Sequence, residues 1–210
     1  MAPFYPILEG WVFGSRLDNA RNAFYDAVLQ ANRVLLVGEG NGRFLKSLLA
    51  QKMGGCIKVV EKTPMMVRLA KDRIRSLPEI RCDLEFIQTD FRNYRPEQQF
   101  DCVVTHFFLD QFNPPAQETV IERIAELSIA DAIWINVDFT SPKTLGGRVL
   151  MWSQYVFFRV LSRIEATRGF DETAAAGKTG WIVADTLSFL GGLVVAKQYR
   201  KRKTARQLGW

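Results

Sequence analysis

The sequence has few of the residues from which metal centres and disulfide frameworks are built. It contains one histidine and three cysteines among 210 residues. Cys56, Cys82 and Cys102 are odd in number and lack the paired spacing of metal ligands. We therefore expect three small core thiols in a reducing, cytoplasmic environment, and no resident metal ion.

Long apolar runs are also missing. The stretch from Trp181 to Ala196 comes nearest, but Asp185 and the pair Gly191-Gly192 interrupt it, and a membrane-spanning helix needs about 18 or more apolar residues. No basic segment leads into an apolar core near the N-terminus, so we expect no secretory signal. With 48% hydrophobic residues and ordinary charge, the sequence predicts one globular domain over residues 1–210, with an irregular arm at 1–14.

Acidic residues are absent from the C-terminus. None follows Asp185, whereas six basic residues do: Lys197, Arg200, Lys201, Arg202, Lys203 and Arg206. A basic tail is most often a solvated terminus, but it could give weak peripheral contact with an anionic membrane surface or hold nucleic acid. We expect a small-molecule partner rather than nucleic acid, and the sequence does not indicate the oligomeric state.

Strand and helix patterns alternate along most of the chain. Strands are predicted at 33–37, 56–60, 84–88, 101–105 and 131–137, and helices at 42–52, 64–76 and 115–127. A further helix is predicted from Ser15 to Val28, and another at 148–164. Alternating elements predict an α/β fold with a parallel sheet and right-handed crossovers. Trp181–Phe189 and Gly192–Tyr199 predict a closing hairpin.

The run from Val34 to Phe44 is the most informative in the chain. Its apolar residues lead into Gly38, Gly40 and Gly42, and a helical pattern follows at once. A strand, a tight turn and a helix N-terminus let a ligand lie against backbone N–H groups. Glu61 ends the next apolar run, about 20 residues further on, where an acid can accept hydrogen bonds from ribose hydroxyls. These segments predict a nucleoside-binding βαβ unit, although a tight turn without a ligand would also fit.

This G-x-G-x-G spacing resembles motif I of the class I methyltransferases that use S-adenosylmethionine. A dinucleotide fingerprint would have a small residue where Arg43 stands. Glu61 after strand two, Asp90 after strand three and Phe100–His106 as strand four follow the same family's order. The resemblance implies a Rossmann-like, seven-stranded, mostly parallel sheet with helices on both faces and a C-terminal antiparallel hairpin. It also implies a variable, substrate-side segment at 140–180.

The resemblance also implies where the cofactor, S-adenosyl-L-methionine, would bind. Asp90 and Phe91 would meet the adenine amino group, and Met65 would form a wall of its pocket. Glu39 could face solvent or approach the amino group of the cofactor. The full set of expected cofactor-binding residues is Gly38, Glu39, Gly40, Gly42, Glu61, Lys62, Met65, Asp90, Phe91 and Thr105.

The acceptor is expected just beyond strand four. His106 lies there, and an imidazole can take a proton near neutral pH, although a lone histidine is more often structural. Asp110 could orient His106 or cap the next helix. Trp152 and Tyr155 belong to the aromatic 148–164 segment, which is either a core helix or, by a short resemblance to quinone-type methyltransferases, a wall for a flat acceptor. The expected acceptor-contacting residues are His106, Phe107, Asp110, Trp152 and Tyr155, with His106 also the candidate catalytic residue.

Three functions remain open from the sequence. The leading one is methyl transfer to a small, hydrophobic or aromatic molecule. The others are a nucleic-acid methyltransferase that uses the basic tail and a non-catalytic nucleoside-binding protein with the same fold. Asn113-Pro114-Pro115 resembles the motif of amino-methyltransferases, but Ala116 follows where that motif has an aromatic residue. We interpret Asn113 as the start of a helix.

Overall fold

A computed structural model describes residues 14–51, 54–140 and 171–202. Most of the predicted N-terminal arm, the helix predicted at 148–164 with Trp152 and Tyr155, and residues 203–210 of the basic tail lie outside these ranges. Within them, no helix is long and apolar enough to cross a bilayer. The single domain and the cytoplasmic location stay predictions.

Seven strands of the described chain form one sheet. They are β1 Arg33–Val37, β2 Cys56–Val60, β3 Asp83–Ile87, β4 Phe100–His106, β5 Ser128–Phe139, β6 Trp181–Phe189 and β7 Val194–Lys201. Their order is β3-β2-β1-β4-β5-β7-β6. The first five strands pair in parallel, and β7 runs antiparallel to both β5 and β6. The predicted mostly parallel sheet with a C-terminal hairpin is confirmed.

Within the described ranges, six α-helices accompany these strands: α1 Gly14–Arg21, α2 Tyr25–Leu29, α3 Arg43–Ala50, α4 Pro64–Ile74, α5 Pro114–Glu126 and α6 Glu172–Lys178. The single helix predicted from Ser15 is wrong, because the chain makes a turn between α1 and α2. There the Ala23 N–H donates to the Ala20 carbonyl at 3.2 Å, a tighter closure than an α-helix makes. The apolar spacing still holds, since Leu17, Ala20, Phe24 and Val28 are all buried.

The core lies on both faces of the sheet. One cluster joins the strands to apolar residues of α1, α2, α3 and α4, and the other joins them to α5 and α6. Neighbouring residues of β1 divide between the clusters, with Leu36 in the first and Leu35 in the second. This alternation along a strand places helices on both faces, as predicted.

Of the two predicted helix N-termini, one has a side-chain cap and the other does not. The Asn113 side chain accepts a hydrogen bond from the Ala116 N–H at 3.1 Å, so the predicted cap of α5 is confirmed. Thr63 stands at the N-cap position of α4 before Pro64, but its side chain makes no capping hydrogen bond. The three cysteines are free thiols, of which Cys102 is buried in the core and Cys56 and Cys82 are half-buried.

Part of the basic C-terminus belongs to the fold. Lys197 and Lys201 lie in β7, and the Lys201 ammonium donates to the Ala125 and Ser128 carbonyls, at 2.6 Å each. The Lys197 ammonium donates to the Thr173 hydroxyl at 2.9 Å and lies 3.4 Å from a Glu172 carboxylate oxygen. These two cations are therefore used internally, which reduces the charge that the tail can offer to a partner.

Candidate functional site

The candidate site lies where β1 and β4 are neighbours in the sheet. Chain order reverses at this point, because β2 and β3 extend to one side and β5 to the other. In open α/β sheets a ligand binds in the crevice outside the carboxyl ends of the strands at such a reversal. The glycine turn after β1 and the loop after β4 both begin here.

Two of the three glycines are required by close packing. A Cβ atom on Gly42, which has a φ of +78°, would lie 2.7 Å from the Ala70 Cα atom of α4. On Gly38 it would lie 2.3 Å from a ring carbon of Phe108. A Cβ on Gly40 would meet no atom within 4 Å, so open space lies above the middle of the turn.

The Glu61 carboxylate faces this turn from the end of β2. It accepts a hydrogen bond from the Gly40 N–H at 3.2 Å and another from the Thr63 N–H at 2.8 Å. The residue is only 9% exposed. Because each carboxylate oxygen has lone pairs beyond these two bonds, Glu61 can still accept from hydroxyl groups placed over Gly40.

Glu39 turns toward the N-terminus of α3 rather than toward solvent. Its carboxylate accepts from the Leu45 N–H at 3.0 Å. Burial is the main reason that its pKa is raised to about 7, and the nearby charge of Glu61 adds to the effect. A dinucleotide fold places its pyrophosphate at this helix N-terminus. Here the chain's own side chain occupies it, which disfavours a phosphate ligand.

Asp90, which is predicted to lie near the adenine, forms ion pairs with two neighbouring cations. Arg92 donates to both carboxylate oxygens of Asp90, at 2.9 and 2.6 Å, and the Lys62 ammonium lies 3.3 Å from the second oxygen. These bonds, those of Arg92 foremost, lower the pKa of Asp90. Asp90 also accepts from the Arg92 N–H and so caps a short 3₁₀ turn. Met65 is exposed on the first turn of α4.

Two residues predicted to bind the cofactor have side chains in the core instead. The Phe91 ring is 3% exposed and packs edge-on against Phe108 at 6.2 Å. The Thr105 hydroxyl is fully buried, where it bonds to the Asn136 side chain at 2.7 Å and accepts from the Trp134 indole at 2.8 Å. Because these side chains face the core, a cofactor contact by Phe91 or Thr105 would have to come from its backbone, and both stay predicted cofactor-binding residues.

His106 ends β4 and is 8% exposed. Its ring packs edge-on against Phe44 at 4.6 Å, and neither ring nitrogen has a hydrogen-bond partner among the described residues. Burial, helped by the charge of Arg21, lowers the pKa of His106 to about 3. The ring is therefore neutral at physiological pH but a weak proton acceptor. A base with an ordinary imidazole pKa, as expected from the sequence, is not what the fold provides.

The loop after β4 carries the other two described acceptor candidates. The Phe107 ring lies 5.0 Å from that of Phe139, which ends β5. The Asp110 carboxyl lies within hydrogen-bond reach of Asp138, whose carboxylate also accepts from the Leu109 N–H at 3.1 Å. Burial raises the pKa of Asp110 to about 6, and burial together with the Asp110 charge raises the pKa of Asp138 well above its ordinary value. Asp110 therefore orients toward Asp138 rather than His106.

Two residues of the site were not predicted from the sequence. Asp138 follows predicted strand five directly, so an acid at the carboxyl end of a parallel strand was the signal for it. Arg21 lies in α1, and its guanidinium carbon is 5.0 Å from the centre of the Phe107 ring. No local motif marks Arg21, because only tertiary packing brings α1 to this edge. Among the described residues no group of side chains is arranged to hold a metal ion.

Comparisons with known proteins agree with this geometry. Residues 34–128 match the family model of a methyltransferase domain. Malonyl-(acyl-carrier protein) O-methyltransferase 1 of Ilyobacter polytropus is 32% identical over 73 residues, which are 35% of this chain and 26% of that protein. The chain thus matches about a quarter of that relative's length.

Solved structures share this fold over most of the chain. Magnesium protoporphyrin IX methyltransferase from Synechocystis PCC 6803, with bound S-adenosylhomocysteine, has a TM-score of 0.68 at 18% identity, over 89% of this chain and 82% of that one. The S-adenosylmethionine-dependent methyltransferase SibL has a TM-score of 0.73 at 16% identity, over 95% of this chain and 58% of that one. The fold expected from the order of motifs is confirmed, and residues 34–128 match a domain of the expected kind.

Proposed function

We propose that the protein is a class I, S-adenosylmethionine-dependent methyltransferase that methylates a small, hydrophobic or aromatic acceptor, and the match of residues 34–128 to a methyltransferase domain supports this. One observation carries the cofactor side of the proposal. Glu61 faces the open space above Gly40, while Glu39 occupies the N-terminus of α3. Such a turn suits a nucleoside with free ribose hydroxyls and no pyrophosphate.

Bound S-adenosylmethionine supplies an electrophilic methyl group on its sulfonium. The protein contributes position and the exclusion of water, which can supply much of the rate enhancement in an in-line displacement. His106 would orient the acceptor atom by a hydrogen bond, since its neutral ring has one N–H donor and one acceptor nitrogen. We do not assign it the removal of a proton, because burial lowers its pKa to about 3.

Aromatic side chains support a flat, apolar acceptor. Phe107 and Phe139 bring two rings together at the adjoining ends of β4 and β5, and Phe44 packs on His106. Aromatic faces favour offset or edge-on contact with a planar ligand. Two similar proteins, magnesium protoporphyrin IX methyltransferase and mitomycin 7-O-methyltransferase, are named for small-molecule acceptors. Trp152 and Tyr155 stay predicted members of the same acceptor site.

Two measurements test the proposal. Isothermal titration with S-adenosylmethionine and S-adenosylhomocysteine should show binding of both, and the absence of binding at high micromolar concentration would contradict the proposed function. Transfer of a labelled methyl group should then be followed over a panel of small aromatic acceptors and over RNA and DNA. Label only in nucleic acid would favour the alternative substrate, and cofactor binding without any acceptor would favour the non-catalytic alternative.

A further inference from the structure

We propose that Arg92 lowers the affinity of the cofactor site by holding the Asp90 carboxylate, for which the adenine amino group competes. The inference rests on the proposed function, because it concerns the nucleoside bound beside Glu61. Arg92 sets the affinity in this way without being a contact of the cofactor, so removal of its side chain strengthens binding.

The position of Asp90 is the first argument. β3 is the neighbour of β2 on the side away from the glycine turn, and the Glu61 N–H donates to the Ile87 carbonyl of β3 at 3.1 Å. Asp90 follows shortly after Ile87, so it lies at the same edge of the sheet as Glu61. The base and the methionine part leave a ribose from opposite ends. With the methionine part along the glycine turn, the base therefore lies on the side of β3 and Asp90.

The bonds of the Asp90 carboxylate are the second argument. Its Oδ1 accepts from the main-chain N–H and from the Nε–H of Arg92, at 3.0 and 2.9 Å. Its Oδ2 accepts from the Nη2 group of Arg92 at 2.6 Å and from the Lys62 ammonium at 3.3 Å. A carboxylate has about four lone-pair sites, and these donors fill them. An adenine amino group can therefore bond to Asp90 only by displacing a donor, and Arg92 supplies most of them.

The strength of these bonds gives the direction of the effect. Both partners of an arginine–carboxylate pair are charged, and the planar fork makes two parallel bonds, whereas the adenine amino group is a neutral donor. Exchange of the guanidinium group for the amino group is therefore unfavourable by itself. It reduces the affinity of the free protein for the nucleoside.

The surroundings of Arg92 allow its side chain to leave the carboxylate. The Arg92 side chain is 42% exposed, whereas that of Asp90 is 16% exposed. The guanidinium carbon also lies 5.6 Å from the centre of the Phe112 ring, a distance at which cation–π attraction is favourable. Asp90 is the more fixed partner, because its carboxylate caps the 3₁₀ turn. The guanidinium group is therefore the part that moves when the adenine binds.

Calorimetry with S-adenosylhomocysteine tests this competition. Arg92→Ala should bind the compound about two- to ten-fold more tightly than the wild type does, because the ion pair no longer has to be broken. Arg92→Lys keeps the charge but lacks the fork, so its affinity should be intermediate, and it serves as the second variant if Arg92→Ala folds poorly. Arg95→Ala is the matched control, since the Arg95 guanidinium donates to the Arg92 and Tyr94 carbonyls. It should bind as the wild type does.

A second compound separates the competition from a general change of the pocket. An analogue of S-adenosylhomocysteine with hydrogen in place of the 6-amino group has no donor for Asp90, so Arg92→Ala should bind it no more tightly than the wild type does. The inference is overturned if folded Arg92→Ala binds S-adenosylhomocysteine as weakly as the wild type or more weakly, or if both compounds gain equally. Failure of both proteins to bind S-adenosylhomocysteine would instead contradict the proposed function itself.

Discussion

Glu39 and Glu61 repel each other across the glycine turn. Burial is the larger reason for the raised pKa of Glu39, and the charge of Glu61 raises it further. Glu39 accepts from the Leu45 N–H at 3.0 Å and Glu61 from the Gly40 N–H at 3.2 Å. The two acids therefore accept hydrogen bonds from backbone N–H groups on either side of Gly42, and Glu39 changes its charge near neutral pH.

Glu39→Gln should change how stability depends on pH. A carboxyl whose folded pKa is about 7, above its unfolded value of 4.5, makes the free energy of unfolding fall as pH rises between those values. Between pH 5 and pH 7.5 the free energy of unfolding should fall by on the order of 2 kcal/mol. Glutamine keeps an oxygen for the Leu45 N–H but does not titrate. Urea unfolding at pH 5 and pH 7.5 should show that the free energy of unfolding falls less for the variant than for the wild type. An equal fall in both proteins would show that Glu39 is ionised throughout.

Glu61→Ala should weaken cofactor binding. The variant loses a charged acceptor for the ribose hydroxyls, and each such hydrogen bond typically contributes about 1.5–3 kcal/mol, so a drop of about ten-fold or more is expected. Glu79→Ala is the matched control, since Glu79 pairs with Arg81 on the surface at 2.7 Å. Calorimetry with S-adenosylhomocysteine measures the affinity of both variants. Unchanged affinity in a folded Glu61→Ala protein would place the cofactor elsewhere.

His106 should show no titration near neutral pH. It is the only histidine in the sequence, so its imidazole proton resonances need no mutant for assignment. With a pKa of about 3 the ring stays neutral and its chemical shift should be flat from pH 5 to 9. Correspondingly, His106→Asn should raise the Michaelis constant for the acceptor more than it lowers turnover, without altering the pH profile. A shift change centred near pH 6–7 would restore the general-base assignment.

Gly42→Ala should destabilise the fold far more than Gly40→Ala. Both positions have positive φ, which costs an L-residue about 1–2 kcal/mol, but only the Gly42 substitution also forces a contact with α4 at 2.7 Å. We expect a loss of about 2–4 kcal/mol for Gly42→Ala and about 1 kcal/mol for Gly40→Ala in urea unfolding. Equal losses would mean that α4 moves away from the turn at little cost.

The strands were the most predictable part of this fold. The bounds predicted for β1, β2 and β6 are those observed, because short, mostly apolar runs and an alternating edge strand leave few choices. The other bounds depend on tertiary contacts, which local sequence patterns do not reveal. β5 extends to Ser128–Phe139, well beyond the predicted 131–137, and α1 is separated from α2 although the apolar spacing continues through both.

The sequence predicted which residues lie together at the carboxyl edge of the sheet, but not the direction of their side chains. Motif order placed Glu61 beside Gly40, since both follow buried strands whose register is fixed. It did not reveal that Thr105 and Phe91 face the core, because the period of a strand gives alternation and not which face is inward. Nor did it reveal the low pKa of His106, which arises mainly from burial in a place where Phe44, a residue of another element, packs on the ring.

The interior place of β7 has a consequence for how the chain is made. β7 is among the last described elements in the chain, yet it lies between β5 and β6 in the sheet. During synthesis β5 therefore leaves the ribosome with one edge unpaired, and open strand edges are prone to association with other chains. β5 can pair fully along its second edge only after residue 201, the end of β7, has emerged from the ribosome. Pulse-labelled hydrogen exchange on refolding should accordingly find the β5 amides that bond to β7 protected later than those of β1.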